Sequence, residues 1–242
     1  MNQLKAVILA AGKGTRMKSD LPKVVHTVNG KPMVEYAIDA AKGAGADKVC
    51  LVVGYKSEVV KEMVTSNVEY VLQEEQLGTG HAVKCAKDFI GEQGEILVLF
   101  GDTPLITGKT LGKLVEFHRT QQNKVTVLSA KVEDPTGYGR IIRSKDNSFL
   151  KSVEHKDASE EELLSKEVNS GMYVFDAKEL SIALDALTTN NAQGEYYLPD
   201  TLTIIKNKGF KVDAYVLEDA KEMTGVNDQE QLKEVERMIR ER

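Results

Sequence analysis

The chain has no tryptophan and only two cysteines and five prolines among its 242 residues. Cys50 and Cys85 stand far apart in apolar stretches, so neither a redox pair nor a thiolate metal site has its spacing. They read as buried thiols of a reducing compartment. No stretch rich in proline, glycine and serine interrupts the chain, so no linker divides it. No apolar run approaches the ~20 residues that a membrane span needs, and the first apolar segment, about six residues, is too short for a signal peptide. A basic excess is missing too: 32 Lys and Arg against 37 Asp and Glu give a formal net charge of −5. That balance argues against a general nucleic-acid binder, so a phosphate ligand must be held by a local site rather than by the overall field. The four histidines, His26, His81, His118 and His155, do not cluster at metal-ligand spacing, and none is assigned a catalytic role. No internal repeat is found. These absences describe a cytoplasmic protein that engages neither nucleic acid nor membrane.

What is present is an ordinary globular composition, 41% hydrophobic and 29% charged, long enough to bury a sizeable core. The first half alternates. Apolar runs at 5–10, 48–53, 68–72, 96–100 and 124–132 read as strands, and helical spacing appears at 34–44, 57–64, 80–90 and 110–120. That alternation predicts a mainly parallel sheet covered by helices on both faces, with ligands at the loops that follow strands. The second half predicts a hairpin, 140–143 and 149–154, around Asp146-Asn147. A strand at 169–175, helices at 177–187 and 198–207 and a strand at 210–217 follow. A charged helix at 228–242 has Asp228 as its N-cap. Its apolar stripe, Leu232, Val235 and Ile239, is expected to pack on the domain.

Three places carry chemistry. The loop Gly12-Lys13-Gly14-Thr15-Arg16 follows the first strand directly. Its glycines let backbone N–H groups approach a phosphate, and Lys13, Arg16 and Lys23 add positive charge nearby. It is neither a Walker loop nor a dinucleotide fingerprint, because the G-K-[ST] ending and the third glycine are missing. Asp102 ends an apolar strand, with Gly101 between, and offers a hard oxygen ligand suited to magnesium shared with phosphates. The same residue could simply form a turn with Thr103 and Pro104. Gln73 and Gln76 flank a Gly-Thr turn before a helix. A glutamine amide both donates and accepts, as a reader of a base edge must, although Gln73 could equally end a strand.

Taken together, these segments resemble a known family. Leu9 to Met17, Pro22-Lys23 and Gly30-Lys31-Pro32 are similar to the signature of the nucleotidyltransferases that make sugar nucleotides. Gln73 to Thr79, Gly101 to Leu105, Pro135 to Arg140, Val153 to Ala158, Asn169-Ser170-Gly171, Asn191 to Tyr197 and Gly225-Val226-Asn227 extend the likeness along the chain. The branch they resemble is N-acetylglucosamine-1-phosphate uridyltransferase. The resemblance implies a Rossmann-like three-layer α/β/α fold with a predominantly parallel mixed sheet. It also implies a nucleotide-binding part at about 1–133 and a sugar-binding part at about 134–227.

The resemblance further implies site residues. Leu9, Ala10, Ala11, Gly12, Lys23, Gln73, Gly78, Thr79, Gly101 and Asp102 would bind the nucleotide, with Gln73, Gly78 and Thr79 on uracil. Gly139, Glu154 and Asn169 would take the amino sugar and its product. Asp102 and Asn227 would hold Mg²⁺, and Arg16 and Lys23 would be catalytic. Read without the family, Asn227 is a capping residue, Gly137-Tyr138-Gly139 a turn and Glu154 a solvated charge.

The implied reaction joins UTP and N-acetylglucosamine 1-phosphate into UDP-N-acetylglucosamine and pyrophosphate, a cell-wall precursor step. The sugar phosphate attacks the α-phosphorus in line. A phosphate monoester has a second pKa of about 6 and needs no general base, in keeping with the scattered histidines. Typical members continue into a hexapeptide-repeat β-helix that acetylates glucosamine 1-phosphate and forms a trimer. No such repeat occurs here, so one activity and a monomer or weak oligomer are expected. Two other readings stand beside this one: a relative using another base, such as a cytidylyltransferase, and a non-catalytic sensor of sugar nucleotides.

Overall fold

The computed structural model describes residues 3–241. In chain order the elements are β1 (Leu4–Ala10), β2 (Thr27–Val28), β3 (Lys31–Pro32), α1 (Met33–Gly43), β4 (Lys48–Val53), α2 (Ser57–Met63), β5 (Glu69–Leu72), α3 (Thr79–Cys85), α4 (Lys87–Ile90) and β6 (Glu95–Phe100). They continue with α5 (Gly108–Gln121), β7 (Val125–Lys131), β8 (Arg140–Arg143), β9 (Phe149–Val153), α6 (Glu160–Leu163), β10 (Glu167–Asp176), α7 (Ala177–Asp185), α8 (Asp200–Asn207), β11 (Val212–Val216) and α9 (Gln229–Arg240). Single 3₁₀ turns cover Thr15–Met17, Lys23–Val25 and Ala220–Met223.

The central strands are apolar without alternation because both faces of the sheet are covered. Successive residues of β1 go to opposite sides: Leu4, Ala6, Ile8 and Ala10 join one core, Val7 and Leu9 the other. Leu97 and Leu99 of β6 divide in the same way from Ile96 and Val98. Apolar residues of α1 and α5 cover the first face, and those of α3, α7 and α8 cover the second. The result is a three-layer α/β/α arrangement around a mixed sheet ordered β11-β7-β10-β6-β1-β4-β5, with β8 and β9 paired beside β10. Strands β1, β4, β5 and β6 are mutually parallel, as are β7 and β11, and β10 runs against β6 and β7.

This order positions the site. From β1 the chain moves to β4 and β5 on one side, then returns to place β6 on the other. The loops after β1 and β6 therefore open a crevice at the carboxyl ends of adjacent strands, where ligands bind in open α/β sheets. A second crevice follows from β10. Its register shifts between Asn169 and Tyr173, and this bulge turns the strand end toward the β8–β9 hairpin.

The structure departs from the sequence reading in local detail. The helix expected at 80–90 is two helices separated at Ala86, whose N–H bonds to Val83 O at 3.0 Å. One tightened turn keeps Val83, Ala86 and Ile90 in the same core. The two-residue strands β2 and β3 and the four-residue α6 were not expected. Cys85 is half-buried rather than buried, whereas Cys50 is fully enclosed. Asp228 caps α9 as expected, accepting from Glu230 N and Gln231 N, and Val235 packs with Leu232 and Ile239 against Met17, Val28 and Met33.

Candidate active site

The loop after β1 is tied down from two directions. Ala11 O accepts from Tyr55 N at 3.2 Å and from the Gln76 side-chain amide at 2.8 Å. Gly12 stays open, with nothing within 4 Å of where a Cβ would stand. Gly101 N donates to Leu9 O at 2.9 Å, which sets the end of β6 beside the loop. Asp102 follows, and its carbonyl accepts from Val226 N at 2.9 Å. That one backbone bond brings Asn227, remote in sequence, to Asp102.

Four side chains then form one polar cluster. The Lys23 ammonium pairs with the Asp102 carboxylate and donates to Asn227 Oδ1 at 3.1 Å. Arg16 donates to the same Asn227 oxygen at 2.9 Å. Lys23 and Asp102 are each 17% exposed, shielded enough that their attraction is stronger than that of a solvated surface pair. An amide oxygen and a carboxylate oxygen thus converge on one cation, which is here an ammonium. Hard oxygen donors facing a common positive charge are the donor set that magnesium takes, completed by phosphates and water. Among the described residues no group of three or more His, Cys, Asp or Glu side chains is placed to hold a metal ion.

A cavity of about 340 Å³ opens next to this cluster, lined by Leu9, Ala10, Ala11, Gly12, Lys23, Gln73, Gly78, Thr79 and Asp102, and also by Gln76, Phe100 and Glu195. Gly78 begins α3 at φ +111°, and a Cβ there would lie 2.6 Å from Tyr196 O. Only glycine allows this turn, which presses the start of α3 against the 191–197 segment. Gly80 N donates to Tyr196 O at 2.8 Å, Tyr196 N to Leu77 O at 2.9 Å and Leu198 N to Thr79 Oγ1 at 3.2 Å, holding the two segments together. Gln73 is buried and its amide nitrogen lies 3.3 Å from Gly78 O and 3.1 Å from His81 Nδ1.

A second cavity, about 240 Å³, adjoins the first through Thr79 and Phe100 and contains Gly139, Glu154 and Asn169. Asn169 N donates to Gly139 O at 2.9 Å, and Gly171 N donates to Asn169 Oδ1 at 2.7 Å. The Asn169 amide nitrogen reaches Tyr173 Oη at 2.8 Å and Ser152 Oγ at 3.1 Å, so its side chain is braced on all sides. The Glu154 carboxyl is pushed up, first by burial and then by the charges of Asp200 and Asp157. Asp200 is raised for the same two reasons, burial and then Asp157. Glu154 lines the second cavity with Asp200 and Asp157 nearby, and carboxyl oxygens beside the Asn169 amide suit a polyhydroxylated ligand.

Every residue expected at the site falls in or beside these two cavities: Gly101 lies behind the first, with Arg16 and Asn227 in the polar cluster next to it. Sequence reasoning left out Phe100 and Glu195 as lining residues, and Asp157, Asp200 and His81 as neighbours, whereas Gln76, singled out beside Gln73, lines the first cavity. Phe100 had a signal, since it is the last residue of an apolar strand that runs into Gly-Asp.

The family model for nucleotidyl transferases matches residues 5–225. Bifunctional protein GlmU of Caldanaerobacter subterraneus subsp. tengcongensis is 53% identical over 242 residues, all of this chain and 53% of that protein. Its counterparts in Acetivibrio thermocellus and Clostridioides difficile are 52% and 50% identical, covering 100% and 98% of this chain and 53% and 52% of theirs. The chain thus spans about half the length of the curated relatives it matches. A crystal structure of UDP-glucose pyrophosphorylase complexed with UDP-glucose superposes with a TM-score of 0.79 at 20% identity, over 100% of this chain and 99% of that one, and shares the fold. The chain belongs to the nucleotidyl transferase family.

Proposed function

We propose that the chain is a uridylyltransferase that makes UDP-N-acetylglucosamine and pyrophosphate from UTP and N-acetylglucosamine 1-phosphate, a step toward cell-wall precursors. The observation that carries the reading is the joining of the two cavities through Thr79 and Phe100, with Arg16, Lys23, Asp102 and Asn227 clustered beside the first. Identity of about half to the bifunctional GlmU proteins along the whole chain supports it. In this reading residues 1–133 serve the nucleotide and 134–227 the sugar.

The residues divide the work. Uracil lies at Gln73, Gly78 and Thr79, and the backbone N–H groups of Gly78 and Thr79, which make no hydrogen bond within the described residues, meet its carbonyl. The loop at Gly12 cradles phosphates. Gly139, Glu154 and Asn169 orient the N-acetyl sugar so that its phosphate oxygen faces the α-phosphorus. The attacking oxygen is already largely ionised at neutral pH, so positioning and charge neutralisation carry the catalysis. As nucleotide enters, Lys23 exchanges the oxygens of Asp102 and Asn227 for those of the α-phosphate region, and Arg16 stabilises the departing pyrophosphate. Asp102 and Asn227 would then hold Mg²⁺, which supplies charge neutralisation to the phosphates when bound.

Among the described residues no helix is long and apolar enough to cross a membrane. A cytoplasmic location belongs to the proposal because UTP and sugar phosphates are polyanions that bilayers exclude. A monomer or weak oligomer belongs to it as well. The test is pyrophosphate release with Mg²⁺, comparing UTP with CTP and N-acetylglucosamine 1-phosphate with other sugar phosphates. Release that is largest with UTP and N-acetylglucosamine 1-phosphate is expected. Preference for CTP would assign another base, and no release with any pair would leave a non-catalytic binder.

A further inference from the structure

Gln73 is held in a way that the reaction itself does not explain. Its amide nitrogen lies within reach of two protein acceptors, Gly78 O at 3.3 Å and His81 Nδ1 at 3.1 Å. A carbonyl oxygen only accepts, so the side of the amide that faces Gly78 must be the NH₂ group. His81 Nδ1 is then an acceptor as well, and the neutral ring carries its proton on Nε2, which lies 3.9 Å from Cys85 Sγ. Both protons of the Gln73 amide are thereby used inside the protein. Its Oε1 makes no hydrogen bond to a described residue and is not among the buried polar atoms left without a partner. It is therefore reached from the cavity that Gln73 lines.

We infer that His81, through its Nδ1 contact, sets base specificity by holding the Gln73 amide with its oxygen toward the nucleotide cavity. An acceptor in that place pairs with the ring N–H of uracil and opposes the ring lone pair of cytosine. The inference rests on the uridylyltransferase reading and names the residue that makes the site read uracil. His81 is a positioning residue: it acts on the base through Gln73. Rotating the amide would set Oε1 against Gly78 O and would require the His81 proton to leave Nε2 for Nδ1. Without His81, only the longer of the two contacts opposes that rotation, and one amide proton is left unpaired in a buried place. The amide then populates both orientations, and the second presents a donor to cytosine.

His81 also packs near Tyr196, with ring centroids 6.3 Å apart, so a packing role must be separated from the hydrogen-bonding one. His81→Phe keeps the ring and removes the acceptor. His81→Asn removes the ring and keeps an acceptor at the position of Nδ1. The measurement is the ratio of kcat/KM for UTP to that for CTP, with kcat and KM resolved separately. For His81→Phe the ratio is expected to fall about tenfold or more, through KM rather than kcat at saturating UTP. His81→Asn is expected to stay within about threefold of the wild type, since the acceptor remains. If His81→Phe does not fold, His81→Ala, which removes the acceptor without bulk, carries the same expectation. An unchanged ratio in the Phe or Ala variant, or an Asn variant as impaired as Phe, overturns the inference. A wild-type chain that releases no pyrophosphate, or does not prefer UTP, overturns the functional reading instead, so the two failures are distinguishable.

Discussion

Replacing Gly171 by alanine tests how tightly the fold and the two cavities are coupled. Gly171 lies in the bulge of β10 at φ +79°, and its added Cβ would stand 2.1 Å from Phe100 Cε2, 3.0 Å from Cζ and 3.1 Å from Cδ2. Carbon atoms rest at about 3.5–4.0 Å, so the ring must move by roughly 1.5 Å. Two costs add. The left-handed conformation costs a residue with a Cβ about 1–2 kcal/mol. Forcing an extra carbon into a packed place costs about 1–3 kcal/mol. The expected destabilisation is therefore about 2–5 kcal/mol, a large share of the roughly 5–15 kcal/mol that holds a domain together.

Phe100 lines both cavities, so the space open to a displaced ring is the space a ligand uses. The variant is therefore expected to raise KM for both substrates together. Urea unfolding at fixed pH measures the first effect as a lower midpoint with an unchanged slope. A second substitution separates the two costs. Phe100→Leu in the Gly171→Ala background relieves the contact but not the backbone, so about 1–2 kcal/mol of the loss should persist relative to Phe100→Leu alone. A Gly171→Ala variant within about 0.5 kcal/mol of the wild type would refute the reasoning, because surface-like tolerance of that size is incompatible with either cost.

Arg16→Ala and Lys23→Ala should each lower turnover at saturating substrate by about 10²–10³; near-full turnover in both would remove the proposed charge neutralisation. Burial pushes the His118 imidazole down to about 4. The unfolded chain takes up its proton near pH 6.5 and the folded chain refuses it, so stability present above pH 6.5 is lost as pH falls toward 4, by up to about 3 kcal/mol. His118→Asn, which keeps an acceptor toward Thr126, should flatten that slope in urea titrations across the window; an equal slope in the variant would show that other groups carry it. Glu154 is raised, so its sign is opposite: stability falls as pH rises from the ordinary carboxylate range through the raised value. Glu154→Gln should therefore unfold at a higher urea midpoint than the wild type at pH 7 while raising KM for the sugar phosphate. A lower midpoint would contradict the burial argument.

The layers were readable because the pattern has a single physical cause. Apolar runs of five to seven residues followed by a glycine within two positions mark strands of a sheet covered on both faces, and β1, β4 and β6 obey that. The polar cluster was less accessible. Nothing in Gly225-Val226-Asn227 says which strand end it meets; that is decided by the bond from Val226 N to Asp102 O, between segments far apart in sequence. Short elements were missed for a different reason. The two residues each of β2 and β3 are too few to show a period. Helix α6 is also short, but Ser159 and Glu162 form a capping box whose S-x-x-E pattern stands in the sequence and could have been used. His81 carries no signal in the sequence because its partner is the Gln73 amide, eight residues away, and not another histidine.

The charge of the site leads to a prediction in which two explanations of Asp102 part company. The cluster holds two cations and one carboxylate, and the whole chain is at −5, so neither the local site nor the overall field can by itself neutralise a triphosphate and a sugar phosphate. If Asp102 only restrains Lys23, Asp102→Asn frees that ammonium for phosphate and turnover should hold or rise. If Asp102 is a ligand to a divalent cation, the same variant loses the anionic half of the site. Metal-free UTP should then bind more tightly, because a negative charge has been removed beside the phosphates, while turnover at saturating Mg²⁺ falls by about 10² or more. Calorimetry with UTP in a chelator and pyrophosphate release in Mg²⁺ measure the two quantities separately. Tighter metal-free binding with unimpaired turnover would reduce Asp102 to a partner of Lys23, and weaker binding with impaired turnover would mean that the carboxylate chiefly holds the Lys23 side chain in place.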